Sequence, residues 1–281
     1  MTTRRRPRSR PRGAAAGADV GATLVKLAMR DARGRTTTAT LPVAALDEVA
    51  QRLRDLAPRG LGLTGGGAPR LAERLGQPPP TIGEFEAWAA GARVLLGRSA
   101  PARFLVVSVG TGTSAMLVDG ARVTRVGGTA LGGGTILGLA APLLGERDFD
   151  AIAALAQRGD RRRVDLMISD IYPTGDFPLP GDVNAASFAK LASASSTPVA
   201  ADLAHAIMGL VGENIALICA GLAARTDAEL IAFGGSTLRA NPALTEILEA
   251  ICRFGGRSPV FLPDGQYAGA LGALELATAT G

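Results

Sequence analysis

The chain has 281 residues, 47% of them hydrophobic, which is enough for one large α/β domain or for two lobes. Its longest apolar run, around residues 215–224, is about half the roughly 20 residues that a membrane helix needs. Two cysteines and a single histidine argue against a zinc cluster. We therefore expect a cytoplasmic protein without a membrane segment.

The positive charge is concentrated at the N-terminus. Residues 1–13, MTTRRRPRSRPRG, hold six arginines and no acid, so the net charge of +5 becomes −1 without them. This composition cannot build a core and predicts a disordered tail. The tail is either a solvated extension or a contact for nucleic acid or another anionic surface, whereas the folded body does not have the charge of a nucleic-acid-binding protein.

The first hundred residues alternate between strand and helix patterns. Residues 14–31 predict a strand, a tight glycine turn and a second strand, and residues 45–56 have helical spacing. Residues 59–67 read as a short strand that ends in a glycine turn. The stretch QPPPTIGEF at 77–85 is a stiff loop, and a helix follows from Glu84 to about Leu96.

The rest of the chain continues this alternation. Residues 102–128 predict a hairpin around Asp119-Gly120, because an Asp-Gly pair between two β-branched runs is a strong turn signal. Residues 171–182 form a Pro/Gly-rich loop. Further helices are predicted at 135–145, 149–159, 199–224, 241–255 and 265–278, and further strands at 229–234 and 258–264.

Several strands end in glycine-rich polar backbone, at residues 19–23, 64–67, 110–114 and 234–236. The stretch GGTALGGGT, residues 127–135, has five glycines in nine positions. Glycine allows close approach to the backbone, and backbone N–H groups at such turns bind phosphate. The pattern therefore predicts one phosphate-bearing ligand that is held by many N–H groups.

Two common nucleotide motifs are excluded. The stretch GTGTSA at 110–115 fits G-x-G-x-x-G/A, but a second strand follows it where a dinucleotide-binding fold needs a helix. No G-x-x-x-x-G-K-[ST] sequence occurs. Two glycine-turn hairpins about ninety residues apart are left, an arrangement that can clamp phosphates from two sides.

Six stretches, in this order, resemble the type II (eukaryotic-like) pantothenate kinases of the acetate kinase/sugar kinase/Hsp70/actin superfamily. They are DVGATLVK (19–26), GEF (83–85), VGTGTS (109–114), RVGGTALGGGTILGL (125–139), GDRRRVDLMISDIY (159–172) and PGDVNAASF (180–188). The resemblance covers about residues 17–278. It implies an α/β, two-lobed, actin-like (ribonuclease H-like) fold with mixed sheets and flanking helices, with an N-terminal lobe at 14–100 and a C-terminal lobe at 101–281.

The resemblance also implies a reaction, the ATP-dependent phosphorylation of pantothenate. Glu84 takes the general-base position, and it follows a Pro-stiffened loop where partial burial would suit that role. Glu86 is its local competitor. Asp19 takes the position that organises Mg²⁺ and its waters. Ser114 and Arg125 take the pantothenate side, where a guanidinium suits the carboxylate.

The remaining site residues are assigned to ATP. At the first hairpin these are Gly21, Ala22, Thr23 and Lys26, where Ala22 replaces an expected glycine. At the second hairpin they are Thr111 and Gly112. The turn at 132–137 is expected to offer free N–H groups to the nucleotide, through Gly133, Gly134, Thr135, Ile136 and Leu137. Gly235 and Ser236 are placed on the adenosine side and Phe149 near the adenine. The family also implies a homodimer, for which the long helix 199–224 is suited.

Three alternatives stay open at this stage. A sugar kinase of the same superfamily usually has an Asp base and often a Cys/His zinc cluster, both hard to place here. A catalytically weak pseudokinase is suggested by Ala22. A nucleic-acid-binding protein would act through the tail, and deletion of residues 1–13 would then remove its function.

Overall fold

A computed structural model of the chain describes residues 13–76, 82–193 and 198–279. The chain divides into two compact units. The first unit comprises Met1–Ala100 and Tyr267–Gly281, and the second comprises Pro101–Gln266. The predicted tail lies outside the described residues except for Gly13, as does most of the predicted loop at 77–85.

Strands and helices alternate along the chain. The strands are β1 Ala15–Val20, β2 Leu24–Arg30, β3 Thr36–Pro42, β4 Gly60–Thr64, β5 Arg103–Val109, β6 Thr113–Asp119, β7 Arg122–Thr129, β8 Leu166–Met167, β9 Asn184–Ala186, β10 Ile231–Gly234 and β11 Pro259–Phe261. The helices are α1 Leu46–Leu56, α2 Ala68–Leu75, α3 Glu84–Leu96, α4 Gly133–Leu144, α5 Phe149–Gln157, α6 Ile168–Ile171, α7 Ala200–Thr226, α8 Pro242–Phe254 and α9 Ala268–Ala279.

The first unit is a four-stranded sheet in the order β3-β2-β1-β4 with helices on both faces. β1 pairs antiparallel with β2 and parallel with β4. On one face, Ala18, Val20 and Leu27 pack against α1 and α2 in a single core cluster. α1 forms this contact because its buried residues, Leu46, Val49, Ala50 and Leu53, recur at helical spacing.

The other face of this sheet carries α9, which we expected in the C-terminal lobe. The structure corrects this boundary, since residues 267–281 belong to the first unit. Small residues allow the contact. A Cβ at Gly17 would overlap with the Ala270 carbonyl oxygen, and one at Gly272 would overlap with that of Ala87 in α3. α9 therefore packs backbone against backbone on both β1 and α3, which holds α3 in place.

The second unit has a five-stranded mixed sheet in the order β11-β10-β5-β6-β7. β5, β10 and β11 are parallel, so their carboxyl ends meet at one edge. β5, β6 and β7 form the predicted antiparallel meander, with the turn at Asp119-Gly120. One core cluster joins this sheet to α4, α5, α7 and α8.

α7 is the central helix of the second unit. It is, among the described helices, the one with the length and apolar composition of a membrane span, but 56% of its most apolar stretch is buried inside the protein. Core helices of folded domains have the same properties. Ile207, Val211 and Ile215 of α7 are fully buried in the core, whereas Leu217 is exposed.

The two cysteines lie in this core as free, buried thiols. Burial raises the pKa of Cys219 to about 12 and that of Cys252 to about 11, so neither is a reactive thiolate. The single histidine, His205, bonds through Nδ1 to the Gly159 carbonyl oxygen at 2.7 Å. No group of three or more His, Cys, Asp or Glu in the described ranges could hold a metal.

Candidate active site

The carboxylate of Asp19 lies buried at the end of β1 in the first unit. Two glycines lie directly against it: a Cβ at Gly65 would be 2.7 Å from Asp19 Oδ1, and a Cβ at Gly269 would be 2.5 Å from Oδ2. Burial raises the pKa of Asp19 to about 6; the Lys26 charge opposes this and the Glu84 charge adds to it. Asp19, Lys26 and Glu84 thus form one electrostatic group.

The first hairpin turn has the predicted form. Gly21 N–H donates to the Leu24 carbonyl at 3.0 Å, which closes the turn between β1 and β2. Lys26 is the strand partner of Asp19, and a Cβ at Gly21 would lie 3.7 Å from Lys26 Nζ. The ammonium group therefore lies close to Gly21, in the turn that also contains the exposed residues Ala22 and Thr23.

Glu84 is the first residue of α3 and is exposed. The burial that we expected for it is not found; the buried carboxylate of the group is Asp19. Glu86, the competitor, is also exposed, and its carboxylate folds back over Gly83 at the helix start. The N-terminus of α3 stabilises a carboxylate at position 84 and at position 86 alike. The difference between the two is that the charge of Glu84, and not that of Glu86, acts on Asp19.

The glycine run at 132–134 packs on the second hairpin turn. A Cβ at Gly132 would lie 2.7 Å from both the Gly110 and Thr111 carbonyl oxygens, and one at Gly134 would lie 2.9 Å from Thr111 Cγ2. Thr237 Oγ1 also donates to the Gly110 carbonyl at 2.8 Å. Close approach to the backbone was correctly predicted, but what approaches is another part of the chain.

This packing changes the expected role of the α4 N-terminus. Gly133 N–H donates to the Gly110 carbonyl at 2.8 Å and Gly134 N–H to the Thr111 carbonyl at 2.9 Å. Ile136 N–H donates to Gly132, and its side chain is fully buried in the core. The prediction of free N–H groups is therefore wrong at Gly133, Gly134 and Ile136. These residues shape the turn that carries Thr111 and Gly112.

Thr135 and Leu137, also in the first turns of α4, are partly buried. The Thr135 hydroxyl donates to the Ala130 carbonyl at 3.3 Å, and Leu137 packs against the core of the second unit. Their predicted contact with the nucleotide stays a prediction.

A cavity of about 250 Å³ opens at the carboxyl ends of β10 and β11. Gly235, placed on the adenosine side from the sequence, lines it, and its φ of +122° is one that glycine accepts. A Cβ at Gly235 would overlap with the Val109 carbonyl oxygen. The turn therefore packs closely against the end of β5, which only a glycine allows. Ser236 follows in the same turn. Crevices at the carboxyl ends of parallel strands are common ligand sites.

The predicted adenine residue, Phe149, does not line this cavity. It is partly buried against the core at the start of α5. Its neighbour Asp150 instead forms an ion pair with Arg239 at 2.8 Å, and Arg239 is a lining residue.

Arg125 and Ser114 share one face of the second sheet because of a β-bulge. Thr113 to Ala115 pair regularly with β7, but the register shifts between Ala115 and Met116, so Arg125 becomes the partner of Met116. Without this extra residue Arg125 would pair with Leu117 and point to the opposite face. A Cβ at Gly128, the partner of Ser114, would lie 2.8 Å from an Arg125 guanidinium nitrogen. The guanidinium therefore reaches toward Ser114.

Two of the motifs quoted from the sequence contribute to a polar network with buried members. The Asp165 carboxylate accepts from Arg161 Nε at 2.7 Å and from Phe188 N–H at 2.8 Å. Asn184 Nδ2 donates to Glu213 of α7 at 2.9 Å. These contacts tie the segment around residues 160–190 to α7.

Comparison with known proteins identifies the family. The Fumble family model matches residues 94–275. The chain is 33% identical over 259 residues to the type II pantothenate kinase of Staphylococcus haemolyticus (strain JCSC1435), covering 91% of this chain and 97% of that protein. The chain belongs to the type II pantothenate kinase family. The relative from Staphylococcus aureus (strain USA300) is 34% identical over 261 residues, with the same coverage.

Solved structures confirm the actin-like fold that the sequence predicts for this chain. An activator of 2-hydroxyisocaproyl-CoA dehydratase from Clostridium difficile, solved with ADPNP, matches with a TM-score of 0.66 at 14% identity, covering 95% of each chain. A ROK family glucokinase from Streptomyces griseus, solved with glucose and AMPPNP, has a TM-score of 0.57 at 15% identity, covering 95% of this chain and 100% of the other. At these identities the likeness concerns the fold alone.

Several residues near Asp19 and in the cavity of the second unit were given no individual role from the sequence. In the first unit they are Thr64, Trp88 and Gly269, which surround Asp19 from β4, α3 and α9. In the second unit they are cavity-lining residues from two turns, Leu238, Arg239, Asp264, Gly265 and Gln266. Only Thr64 gave a signal, since it precedes the glycine turn at 65–67.

Proposed function

We propose that this chain phosphorylates pantothenate with ATP, the first step of coenzyme A synthesis. The proposal rests on the match to type II pantothenate kinases over 91% of the chain, at a third of residues identical. The electrostatic group of Asp19, Lys26 and Glu84 supports it, because phosphoryl transfer needs a base, a cation and an Mg²⁺ ligand together.

Glu84 acts as the general base. Its carboxylate accepts the proton of the primary hydroxyl of pantothenate as that oxygen attacks the γ-phosphorus, while the bond from this phosphorus to the β-phosphate oxygen breaks and ADP leaves. An exposed carboxylate at the first position of α3 is free to approach an acceptor. The packing of α9 on α3 keeps the start of this helix in position.

Asp19 is the residue that would hold Mg²⁺. Its carboxylate accepts no hydrogen bond from any described residue, which fits an oxygen reserved for a cation or its waters. Mg²⁺ is usually bound by one or two carboxylates together with substrate phosphates, so a single Asp is sufficient. When bound, Mg²⁺ neutralises charge on the phosphates. Lys26 adds a second positive charge beside the turn at Gly21.

The second unit supplies further contacts to ATP. The exposed Thr111 and the adjoining Gly112 bind phosphate at the second hairpin turn, which the glycines of 132–134 support from behind. The cavity beside Gly235 and Ser236 takes the adenosine part. Ser114 and Arg125 bind pantothenate, with the guanidinium on its carboxylate.

A substrate panel with two matched variants tests this proposal. Wild type is assayed for ADP release with Mg²⁺·ATP and pantothenate, pantetheine or glucose. We expect turnover with pantothenate, a fall of about 10²–10⁴-fold in Glu84→Gln, and near-normal turnover in Glu86→Gln. ATP binding, measured by calorimetry, should be unchanged in both variants. Turnover with glucose alone would favour a sugar kinase, and none with any substrate would favour a pseudokinase.

We further propose a cytoplasmic homodimer that associates through α7. Leu217, Ile218 and Gly221 are exposed apolar residues at helical spacing on a helix that is mostly buried or half-buried, and Phe254 at the end of α8, which packs on α7, is also exposed. Light scattering after size exclusion should give twice the chain mass for wild type and the single chain mass for Leu217→Glu. A monomeric wild type would contradict this.

A further inference from the structure

A row of four polar side chains crosses the sheet of the first unit. Thr40 of β3, Lys26 of β2, Asp19 of β1 and Thr64 of β4 are successive strand partners. Residues paired in this way point to the same face of a sheet. We call these four residues the polar row.

Three members of the polar row make interactions that explain why a polar side chain stands at their position. Thr40 Oγ1 bonds with the Tyr267 hydroxyl at 3.2 Å. Lys26 and Asp19 carry opposite charges and interact with each other. Thr64 is different: it is 1% exposed, and its hydroxyl has no hydrogen-bond partner among the described residues.

An unpaired hydroxyl in a buried position is unfavourable, because it loses its hydrogen bonds to water and gains none. Valine has the same shape and would fill this strand position without that loss. A threonine here is therefore costly for the folded protein alone. Such a residue is expected where a ligand supplies the missing hydrogen bond.

The surroundings indicate which ligand. Thr64 is the strand partner of Asp19, and Gly65, the next residue, has a backbone that adjoins Asp19 Oδ1. A hydroxyl can both donate and accept, whereas a carboxylate only accepts. A water bound to a cation can donate to a carboxylate and to a hydroxyl at the same time.

We propose that Thr64 is a positioning residue for hydrated Mg²⁺: its hydroxyl holds a water of the cation that Asp19 binds. This inference rests on the proposed function in that Asp19 takes Mg²⁺ together with ATP. It adds a residue from β4 to a site otherwise built from β1, β2 and α3.

Two substitutions separate this role from a structural one. Thr64→Val keeps the shape and removes the hydroxyl, and Thr64→Ser keeps the hydroxyl and removes a methyl group. Each purified full-length variant is compared with wild type in two measurements. The first is the melting temperature without ligand, and the second is the affinity for ATP by calorimetry, with Mg²⁺ and with EDTA.

We expect stability and binding to change in opposite directions. Thr64→Val should melt about 2–4 °C higher than wild type but bind Mg²⁺·ATP roughly 3–10-fold more weakly. Its affinity for ATP in EDTA should be unchanged. Thr64→Ser should melt lower, because of the lost methyl group, and bind Mg²⁺·ATP within about twofold of wild type.

Thr113→Val is the matched control for the stability measurement. Thr113 is also buried on a strand, but its hydroxyl donates to the Leu131 carbonyl at 2.8 Å, so its loss should lower the melting temperature. The inference is overturned if Thr64→Val melts below wild type, if it keeps the full Mg²⁺ effect on ATP affinity, or if wild type shows no such effect. Binding is measured without pantothenate, so a wild type that binds Mg²⁺·ATP but does not phosphorylate pantothenate would refute only the proposed function.

Discussion

The substitution Asp19→Asn should stabilise the unliganded protein at neutral pH. Burial raises the pKa of Asp19 from 3.8 to about 6, so the folded state holds its proton more tightly than the unfolded state does. Above pH 6 the folded protein has to bury an ionised carboxylate. At about 1.4 kcal/mol per pKa unit, this costs about 3 kcal/mol.

The sign of the pH dependence follows from the same two pKa values. Because the folded pKa is the higher one, the cost is complete above about pH 6 and disappears as the pH falls toward 3.8. It is about 3 kcal/mol at pH 7.5 and about 1.6 kcal/mol at pH 5 by the linkage relation. Asparagine does not titrate, so its advantage over wild type should shrink by about half between these pH values.

Urea unfolding followed by tryptophan fluorescence measures this difference. Trp88 is the only tryptophan of the chain and lies buried in α3, beside Gly269 and Asp19, so it reports on the first unit. The control is Asp55→Asn at an exposed position of α1, which should follow wild type at both pH values. A difference between Asp19→Asn and wild type that is equal at pH 5 and pH 7.5 would refute the argument.

Three further outcomes follow from the geometry of single positions. Ala22→Gly should lower the KM for ATP by roughly 2–5-fold by removing a methyl group from the exposed turn; an unchanged KM would show that the methyl is not in the way. Arg125→Lys should raise the KM for pantothenate roughly 10-fold or more, but not that for its neutral alcohol analogue, and Arg122→Lys on the same strand should change neither. Gly272→Ala should cost about 3 kcal/mol in urea unfolding because its Cβ meets the α3 backbone, whereas a Cβ at Gly138 meets nothing within 4 Å and Gly138→Ala should be neutral or stabilising.

The strongly periodic segments could be predicted from the sequence. The hairpin of β1 and β2 and the helices α1, α3, α7 and α8 occur where apolar spacing placed them. β3 was missed because it is a largely exposed edge strand whose sequence, TTTATLP, lacks an apolar alternation. α2 was missed because eight residues are too few for a clear periodicity.

The grouping of the site residues depended on contacts that are distant in the sequence. Asp19 and Lys26 are neighbours through a hairpin and could be paired from the sequence. The parts of α9 and β4 that adjoin Asp19 lie 250 and 45 residues further along the chain, as the numbers of Gly269 and Thr64 show. No local pattern indicates that these segments meet, since their packing is decided by small residues on both partners.

The same limitation explains two differences in detail. The glycine run at 132–134 was interpreted as backbone open to a ligand, but bare backbone is equally suited to close packing on another turn, and the sequence does not distinguish the two. The face that Arg125 occupies depends on one bulged residue, which reverses the alternation of the strand. Both features act on the site through the backbone: the glycines support the turn of Thr111, and the bulge brings Arg125 to the side of Ser114. Residue identity was thus enough to name these candidates, whereas backbone geometry decides which of their groups are available to a substrate.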